Sequence, residues 1–227
     1  MRVASLFSGG KDSTYAARIA QKKGLELSYI VSVNPKNPDS YMFHTVNLHL
    51  APLQAKAWGI TYIGLESLGK KENEIYDLKE GLSKLDIDGV VSGAIASNYQ
   101  RTRVNRICED LGIVHISPLW GKEREPLIRE MLSNKMLIIF SAVAAYGLDD
   151  SWLGEELNEN KLKNLVQLNK NFGVDISGEG GEYESLVLDA PWFKKRIEII
   201  DAEEKWSGTS GRYKVKKARL VKKIHKD

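Results

Sequence analysis

The apolar run Val3-Ala4-Ser5-Leu6-Phe7 passes straight into Ser8-Gly9-Gly10-Lys11-Asp12-Ser13, after which Ala16, Ile19 and Ala20 recur at helical spacing over Ser13 to Lys23. An apolar run, a tight glycine turn and a helical repeat in this order predict a buried strand feeding a helix N-terminus. The first turn of a helix leaves backbone N–H groups without intrahelical partners and carries the positive end of the helix dipole, so anions bind there. Gly9 and Gly10 allow positive φ and leave no Cβ in the way of phosphate oxygens, Ser8 and Ser13 add hydroxyl donors, and Lys11 adds a full charge. The six residues suit a polyphosphate. They are too closely spaced for the Gly-x-x-x-x-Gly-Lys-Ser/Thr loop of common nucleotide hydrolases, and neither serine sits in a Gly-x-Ser-x-Gly elbow. Asp12 beside Lys11 can help to hold Mg2+, whose hard charge prefers oxygen. With a nucleoside triphosphate bound, these residues alone leave open whether chemistry falls on the α or the γ phosphorus.

Strand and helix signals keep alternating after this turn. Leu25 to Val33, Ile60 to Leu65, Gly89-Val90-Val91 and Ile113 to Ile116 read as further strands, separated by helical segments that include Ile75, Leu78, Leu82, Leu85 and then Val104, Ile107, Cys108, Leu111. Five strands alternating with helices predict an α/β fold, a five-stranded mostly parallel sheet covered on both faces and joined by right-handed crossovers. Ligands of such folds bind at the carboxyl ends of the strands, so the loop Asn34 to Pro38 and the following Tyr41-Met42-Phe43-His44 are expected to border the site, with His44 on the substrate side. Arg101 and Arg103 are candidate clamps for phosphate or carboxylate. Positions two apart on a helix point about 200° apart, so one of them is expected to face the site.

The texture changes near Pro118, which divides the chain into an expected nucleotide domain, 1–117, and a smaller α+β domain, 118–227. Met136 to Val143, Leu186 to Asp189, Arg196 to Ile200 and Tyr213 to Val221 are its expected strands, paired antiparallel. Ahead of the second lies Gly178-Glu179-Gly180-Gly181-Glu182-Tyr183-Glu184-Ser185, with three carboxylates, a phenol and three glycines in eight residues. So many acids must be solvated, paired with cations, or set near a metal or an amine. The segment suits Mg2+, a cationic substrate or ammonium, or else a flexible acidic turn.

Composition narrows the classes. An apolar fraction of 42% supports a buried core in a soluble chain, no secretory signal precedes the first strand, and the longest apolar stretch, Met136 to Leu148, is 13 residues and too short to span a bilayer. The single Cys108 excludes an intrachain disulfide and any cysteine-based metal cluster, which fits the cytoplasm, and the four histidines lack metal-ligand spacing. From Lys205 to Asp227 there are nine Lys or Arg and one acid. Such an end suits RNA or an acidic partner, but lysines guarding an edge strand against aggregation explain it as well and make RNA contact the lesser reading.

Ser8-Gly9-Gly10-Lys11-Asp12-Ser13 resembles the pyrophosphate loop of the N-type ATP pyrophosphatases, in the adenine-nucleotide α-hydrolase superfamily, whose Rossmann-like members split ATP between the α and β phosphates. A closer resemblance, to the diphthine–ammonia ligase family, rests on that loop, on Gly93-Ala94-Ile95 with Tyr99-Gln100-Arg101-Thr102-Arg103-Val104, and above all on Glu179-Gly180-Gly181-Glu182-Tyr183-Glu184-Ser185-Leu186-Val187-Leu188-Asp189. Ser185 stands where Thr is usual, and Ala190 where Gly often precedes the proline.

The resemblance implies an ATP- and Mg2+-dependent, AMP-forming ligase that acts on diphthine of elongation factor 2. The diphthine carboxylate would attack the α phosphate to give an acyl adenylate and pyrophosphate, and ammonia would displace AMP to leave an amide. Ser8 to Ser13 would hold ATP, with Lys11 and Asp12 acting in catalysis. Glu182 or Glu184 would accept a proton from ammonium, and Tyr183 would meet the trimethylammonium of diphthine by cation–π contact. Tyr99, Arg101, Arg103, Glu179, Gly180 and Gly181 would complete the substrate side. One cysteine cannot carry sulfur as the pairs of thiolating relatives do, and there is no room for a glutaminase domain, so free ammonium is the expected nitrogen source. A tRNA-modifying pyrophosphatase and a non-catalytic ATP-binding module are the alternatives, and a homo-oligomer is compatible with the sequence.

Overall fold

In the computed structural model, which describes residues 1–35, 46–67 and 73–223, the strands β1 (Arg2–Leu6), β2 (Glu26–Pro35), β3 (Thr61–Ser67), β4 (Gly89–Val91) and β5 (Val114–Ile116) form one sheet. Its order is β3-β2-β1-β4-β5 and every adjacent pair is parallel, as the alternating pattern predicts. The helices α1 (Lys11–Lys22), α2 (Ala51–Trp58), α3 (Asn73–Ser83) and α4 (Asn98–Leu111) lie between the strands in sequence.

Strand alternation explains how both faces are used. Ala4, Val31, Val33 and Val90 share a core with Leu78 and Leu82 of α3 and Val104, Ile107 and Cys108 of α4. Their neighbours Val3, Ile30 and Val91 point to the opposite face and are equally buried, as are Tyr15, Ala16 and Ala20 of α1. Each fully buried aliphatic side chain contributes about 1.5–3 kcal/mol, so the short runs suffice as strands. Burial, and then the charge of Glu109, push the Cys108 thiol up to about 11, which makes it an inert core group. Ser97 caps α4 by accepting from the Gln100 amide, and Gly112 closes it in the left-handed region.

β2 lies to one side of β1 and β4 to the other, so the loops after β1 and β4 diverge at the carboxyl edge of the sheet. Gly93 in the second of these loops is packed against the start of α1. A Cβ there would stand 2.7 Å from the Ser13 amide nitrogen and 2.8 Å from the Asp12 carbonyl carbon. Those atoms are backbone and cannot rotate away. Gly93→Ala should therefore destabilise the protein by about 1–3 kcal/mol in urea unfolding. An unchanged unfolding midpoint would show that the first turn of α1 yields.

By packing, Met1–Ser8, Asp12–Lys56 and Ile60–Gly121 form one unit, and Gly9–Lys11, Ala57–Gly59 and Lys122–Asp227 form the other. The second contains α5 (Arg124–Ser133), β6 (Leu137–Val143), α6 (Glu159–Phe172), β7 (Tyr183–Asp189), β8 (Arg196–Trp206) and β9 (Gly211–Val221), its four strands ordered β7-β6-β9-β8 and antiparallel. Leu127, Ile128 and Met131 of α5, Leu162 and Leu165 of α6, and Ile138, Phe140 and Val187 fill its core. No described helix is long and apolar enough to cross a membrane.

Two strands differ from expectation. β7 begins at Tyr183, so part of the acidic segment is strand, and β8 continues through the charged run Asp201 to Lys205 to Trp206. Low β-propensity there is overridden by the long hairpin with β9. In the sheet order β9 lies between β6 and β8, but it pairs with β6 only at Gly211 and Arg212, so its lysine-rich stretch from Lys214 onward is bordered by β8 alone, in keeping with the reading of the basic end as an edge. Acids of β8 balance the lysines and arginines: Arg219 meets Glu198 at 2.6 Å, Lys216 meets Glu203 at 2.6 Å, and Lys205 meets Glu203 at 3.5 Å. Exposed pairs of this kind add little stability, but they blunt the positive field that RNA would need.

Candidate active site

The turn after β1 has the predicted shape, with Gly9 at φ +81 and α1 beginning at Lys11, two residues before the expected helix start. Ser13 Oγ accepts from the Ser8 amide at 3.3 Å and lies 3.2 Å from Ser8 Oγ, so the two hydroxyls close the turn on themselves. Asp12 stands half-buried in the first turn of α1.

Gly9, Gly10 and Lys11 pack with the second unit, against β7. The Gly9 carbonyl accepts from the Val187 amide at 3.0 Å, and the Lys11 amide donates to Ser185 Oγ at 3.1 Å. The Lys11 side chain is 2% exposed; its ammonium donates to the Ser177 carbonyl and lies 4.9 Å from the centre of the Tyr183 ring. The hydroxyl that replaces the usual Thr at Ser185 thus has a definite partner. Tyr183 is fully enclosed: it is 3% exposed, its hydroxyl donates to the Ile176 carbonyl at 2.8 Å, and Phe140 packs edge-on at 5.0 Å. Its cation–π partner is Lys11, and no face of the ring is exposed to meet a bulky substrate cation.

Glu182 is held from two sides. Its carbonyl accepts from the Ala144 amide at 2.8 Å, and its carboxylate Oε1 accepts from the Asp175 amide at 3.1 Å, while Oε2 is enclosed with no hydrogen-bond partner. Asp175 in turn accepts from the Ser177 amide at 2.7 Å and the Ser177 hydroxyl at 2.5 Å, and pairs with Arg124 at 3.5 Å. Burial alone would raise the Asp175 carboxyl, but the Ser177 hydrogen bonds and the Arg124 guanidinium outweigh it and hold the group below the ordinary carboxylate value. A depressed folded value means that this stabilisation is present above the unfolded value and is lost as pH falls through the folded one. Asp175 and Ser177 were not among the residues singled out in the sequence, although together they place both the carbonyl that receives Lys11 and the Glu182 carboxylate. The only local signal is Asp-x-Ser, the spacing of an Asx-turn.

Glu179 and Glu184 are half-buried, and Gly181 is left-handed at φ +94. Gly180 has a different function. A Cβ on it would lie 2.7 Å from Glu182 Oε1 and 2.9 Å from Oε2, and both are ends of a mobile side chain. Gly180→Ala should leave the melting temperature within a few degrees of the parent but push the carboxylate aside, lowering turnover by about tenfold, in keeping with the sensitivity of reacting groups to ångström displacements. A parental rate would release Glu182 from any positional demand.

On α4 both arginines are half-buried and each lies over an aromatic ring, Arg101 4.2 Å from the centre of Trp120 and Arg103 3.3 Å from that of Tyr99. Stacking gives each arginine a partly enclosed position, so neither is a fully solvated charge. Arg101 also helps to lower the value of His115 to about 4, after burial, the larger cause. The neutral imidazole places Nδ1 2.5 Å from Asn105 Oδ1 and Nε2 2.8 Å from Ser92 Oγ, tying α4 to the ends of β4 and β5. His44, with Tyr41 to Phe43, lies outside the described residues.

The donor set of the turn fits a polyphosphate carrying Mg2+. No described group of three or more His, Cys, Asp or Glu residues can hold a metal alone, leaving the half-buried Asp12 carboxylate beside the phosphate turn. Mg2+ is commonly held by one or two carboxylates together with substrate phosphates and water.

Comparison with known proteins places residues 1–115 in the family described as the diphthamide synthase N-terminal domain and residues 123–221 in the diphthamide synthase C-terminal domain. The diphthine–ammonia ligases of Rattus norvegicus and Homo sapiens are each 37% identical to the chain over 227 residues, covering 90% of it and 84% of their own length. Among solved structures, a predicted subunit of tRNA methyltransferase from Methanocaldococcus jannaschii aligns at a TM-score of 0.47 and 18% identity, over 84% of this chain and 98% of that one, a likeness too distant to carry an argument.

Proposed function

Since the chain belongs to the diphthamide synthase family, matching both of its domain models and its ligases along most of their length, we propose that it is an ATP-dependent carbon–nitrogen ligase that amidates diphthine on elongation factor 2 with free ammonium. The observation that supports this reading best is the seating of Lys11, from the phosphate turn, against Ser177, Tyr183 and Ser185 of the acidic segment.

In the proposed reaction the diphthine carboxylate attacks the α phosphorus and the bond to the β phosphate breaks. The backbone amides at the start of α1, the Ser8 and Ser13 hydroxyls and the Lys11 ammonium offset the charge gathering on the departing pyrophosphate. Mg2+, held by Asp12 and phosphate oxygens, would add charge neutralisation when bound. Ammonium gives up a proton to Glu182, whose Oε2 has no competing partner, and the ammonia attacks the acyl carbon; AMP leaves and the amide remains. Glu184 and Glu179 draw the cation in, and Arg101 and Arg103 remain candidate clamps for phosphate or carboxylate. Tyr183 serves by fixing Lys11.

The test is to incubate the protein with ATP, Mg2+, ammonium and diphthine-bearing elongation factor 2. Equal yields of AMP and of the amide, read as the mass change of the factor, are expected. AMP formed only with tRNA would replace this reading by RNA modification, and no pyrophosphate with any acceptor would leave a nucleotide-binding module.

A further inference from the structure

Two aromatic side chains of the second unit stand exposed in chain segments that lead to Glu182. Tyr146, beyond the end of β6, is 74% exposed, and Phe172, the last residue of α6, is 53% exposed. They touch one another edge to face, with ring centres 4.6 Å apart and planes at 66°. The pair presents an open ring face to solvent, where a cation binds best.

Both chain segments run from this pair directly to Glu182. Tyr146 is two residues after Ala144, whose amide donates to the Glu182 carbonyl at 2.8 Å. Phe172 is three residues before Asp175, whose amide donates to Glu182 Oε1 at 3.1 Å. At 3.8 Å per residue, neither backbone can stray far from that carboxylate. Asp149 and Asp150, both exposed, follow Tyr146 closely in the chain. Exposed aromatic faces are the chemistry that recognises a quaternary ammonium, which has no N–H to donate and is held by rings, with charge near in the chain adding attraction.

We infer that Tyr146 and Phe172 bind the trimethylammonium of the substrate, an inference that rests on the proposed amidation of diphthine. In diphthine the trimethylammonium and the reacting carboxylate sit on the same carbon. The group that holds the cation must therefore stand near the one that takes the ammonium proton, and each aromatic lies within three residues of a backbone amide that bonds Glu182. Tyr183, buried and already covered by Lys11, cannot fill this role.

The experiment uses tetramethylammonium chloride as the probe, with saturation transfer to its methyl protons measured on the intact protein and ammonium chloride as the salt control. Binding is expected, with affinity falling roughly tenfold in Tyr146→Leu and in Phe172→Leu and retained in Tyr146→Phe, whose ring is kept. In the amidation assay the same leucine variants should raise KM for diphthine-bearing elongation factor 2 by a similar factor, while KM for ATP and the melting temperature stay put. The inference is overturned by absence of tetramethylammonium binding, or by equal binding in parent and leucine variants. Because the probe experiment needs no turnover, aromatic-dependent binding in a protein that makes no amide would keep this site and sink the proposed reaction instead.

Discussion

Lys11→Met should lower AMP formation with diphthine-bearing elongation factor 2 by about 10²–10³-fold, the range found when one preorganised charge-stabilising donor is removed. The methionine keeps the length and apolar stem of the side chain, so the 2% exposed position stays filled and what is lost is the ammonium. The loss should fall on kcat more than on KM for ATP. The backbone amides of the turn bind triphosphate in both ground and transition states, whereas charge on the leaving pyrophosphate builds up only as the bond breaks. Stability should change less than activity: the Ser177 carbonyl loses its donor, at a cost of about 1–3 kcal/mol, but a buried charge is also removed. Because that carbonyl is fixed by the Asp175–Ser177 turn, Asp175→Ala should produce a weaker version of the same defect. A Lys11→Met enzyme within threefold of the parent would remove Lys11 from the chemistry and leave it a packing residue.

The parts of this protein that were legible in its sequence are those governed by local rules. The alternation of apolar runs with helical repeats predicted the parallel sheet of five strands, because its central strands β1 and β4 are buried on both faces and need no partner's charge to make sense of them. Ser8 to Ser13 was legible for the same reason: a strand, a left-handed glycine and a helix start form one continuous stretch. What could not be read depends on residues distant in the chain. The acidic run Asp201 to Lys205 becomes strand because β9 lies beside it with opposite charges. The sequence assigns Lys11 to the phosphates and to catalysis but not to its seat on Ser177 and Tyr183, which spans a separation of more than 160 residues. Tyr183 was read as a substrate contact because exposure has no sequence signal in a segment so rich in acids and glycines. Tyr146 and Phe172, isolated aromatics in unremarked stretches, attract notice only once the fold puts them side by side.

Glu182→Gln should lower amide formation by about 10²–10⁴-fold, the usual contribution of a positioned general acid or base, while leaving ATP binding and folding nearly intact. The amide side chain still offers an oxygen to the Asp175 amide, so the 3.1 Å hydrogen bond that positions the group survives. What disappears is the ability to take a proton at the carboxylate oxygen that has no other partner. The decisive measurement separates the two half-reactions. Exchange of labelled pyrophosphate into ATP, which reports adenylation of the diphthine carboxylate, should persist in Glu182→Gln and fall in Lys11→Met. Amide formation should fall in both. Raising the pH converts ammonium to ammonia without help from the protein, so it should restore part of the Glu182→Gln rate and none of the Lys11→Met defect. If exchange and amidation fall together in Glu182→Gln, the carboxylate acts in adenylation, and the proton acceptor must be sought at Glu184 or Glu179, the other two acids of the segment.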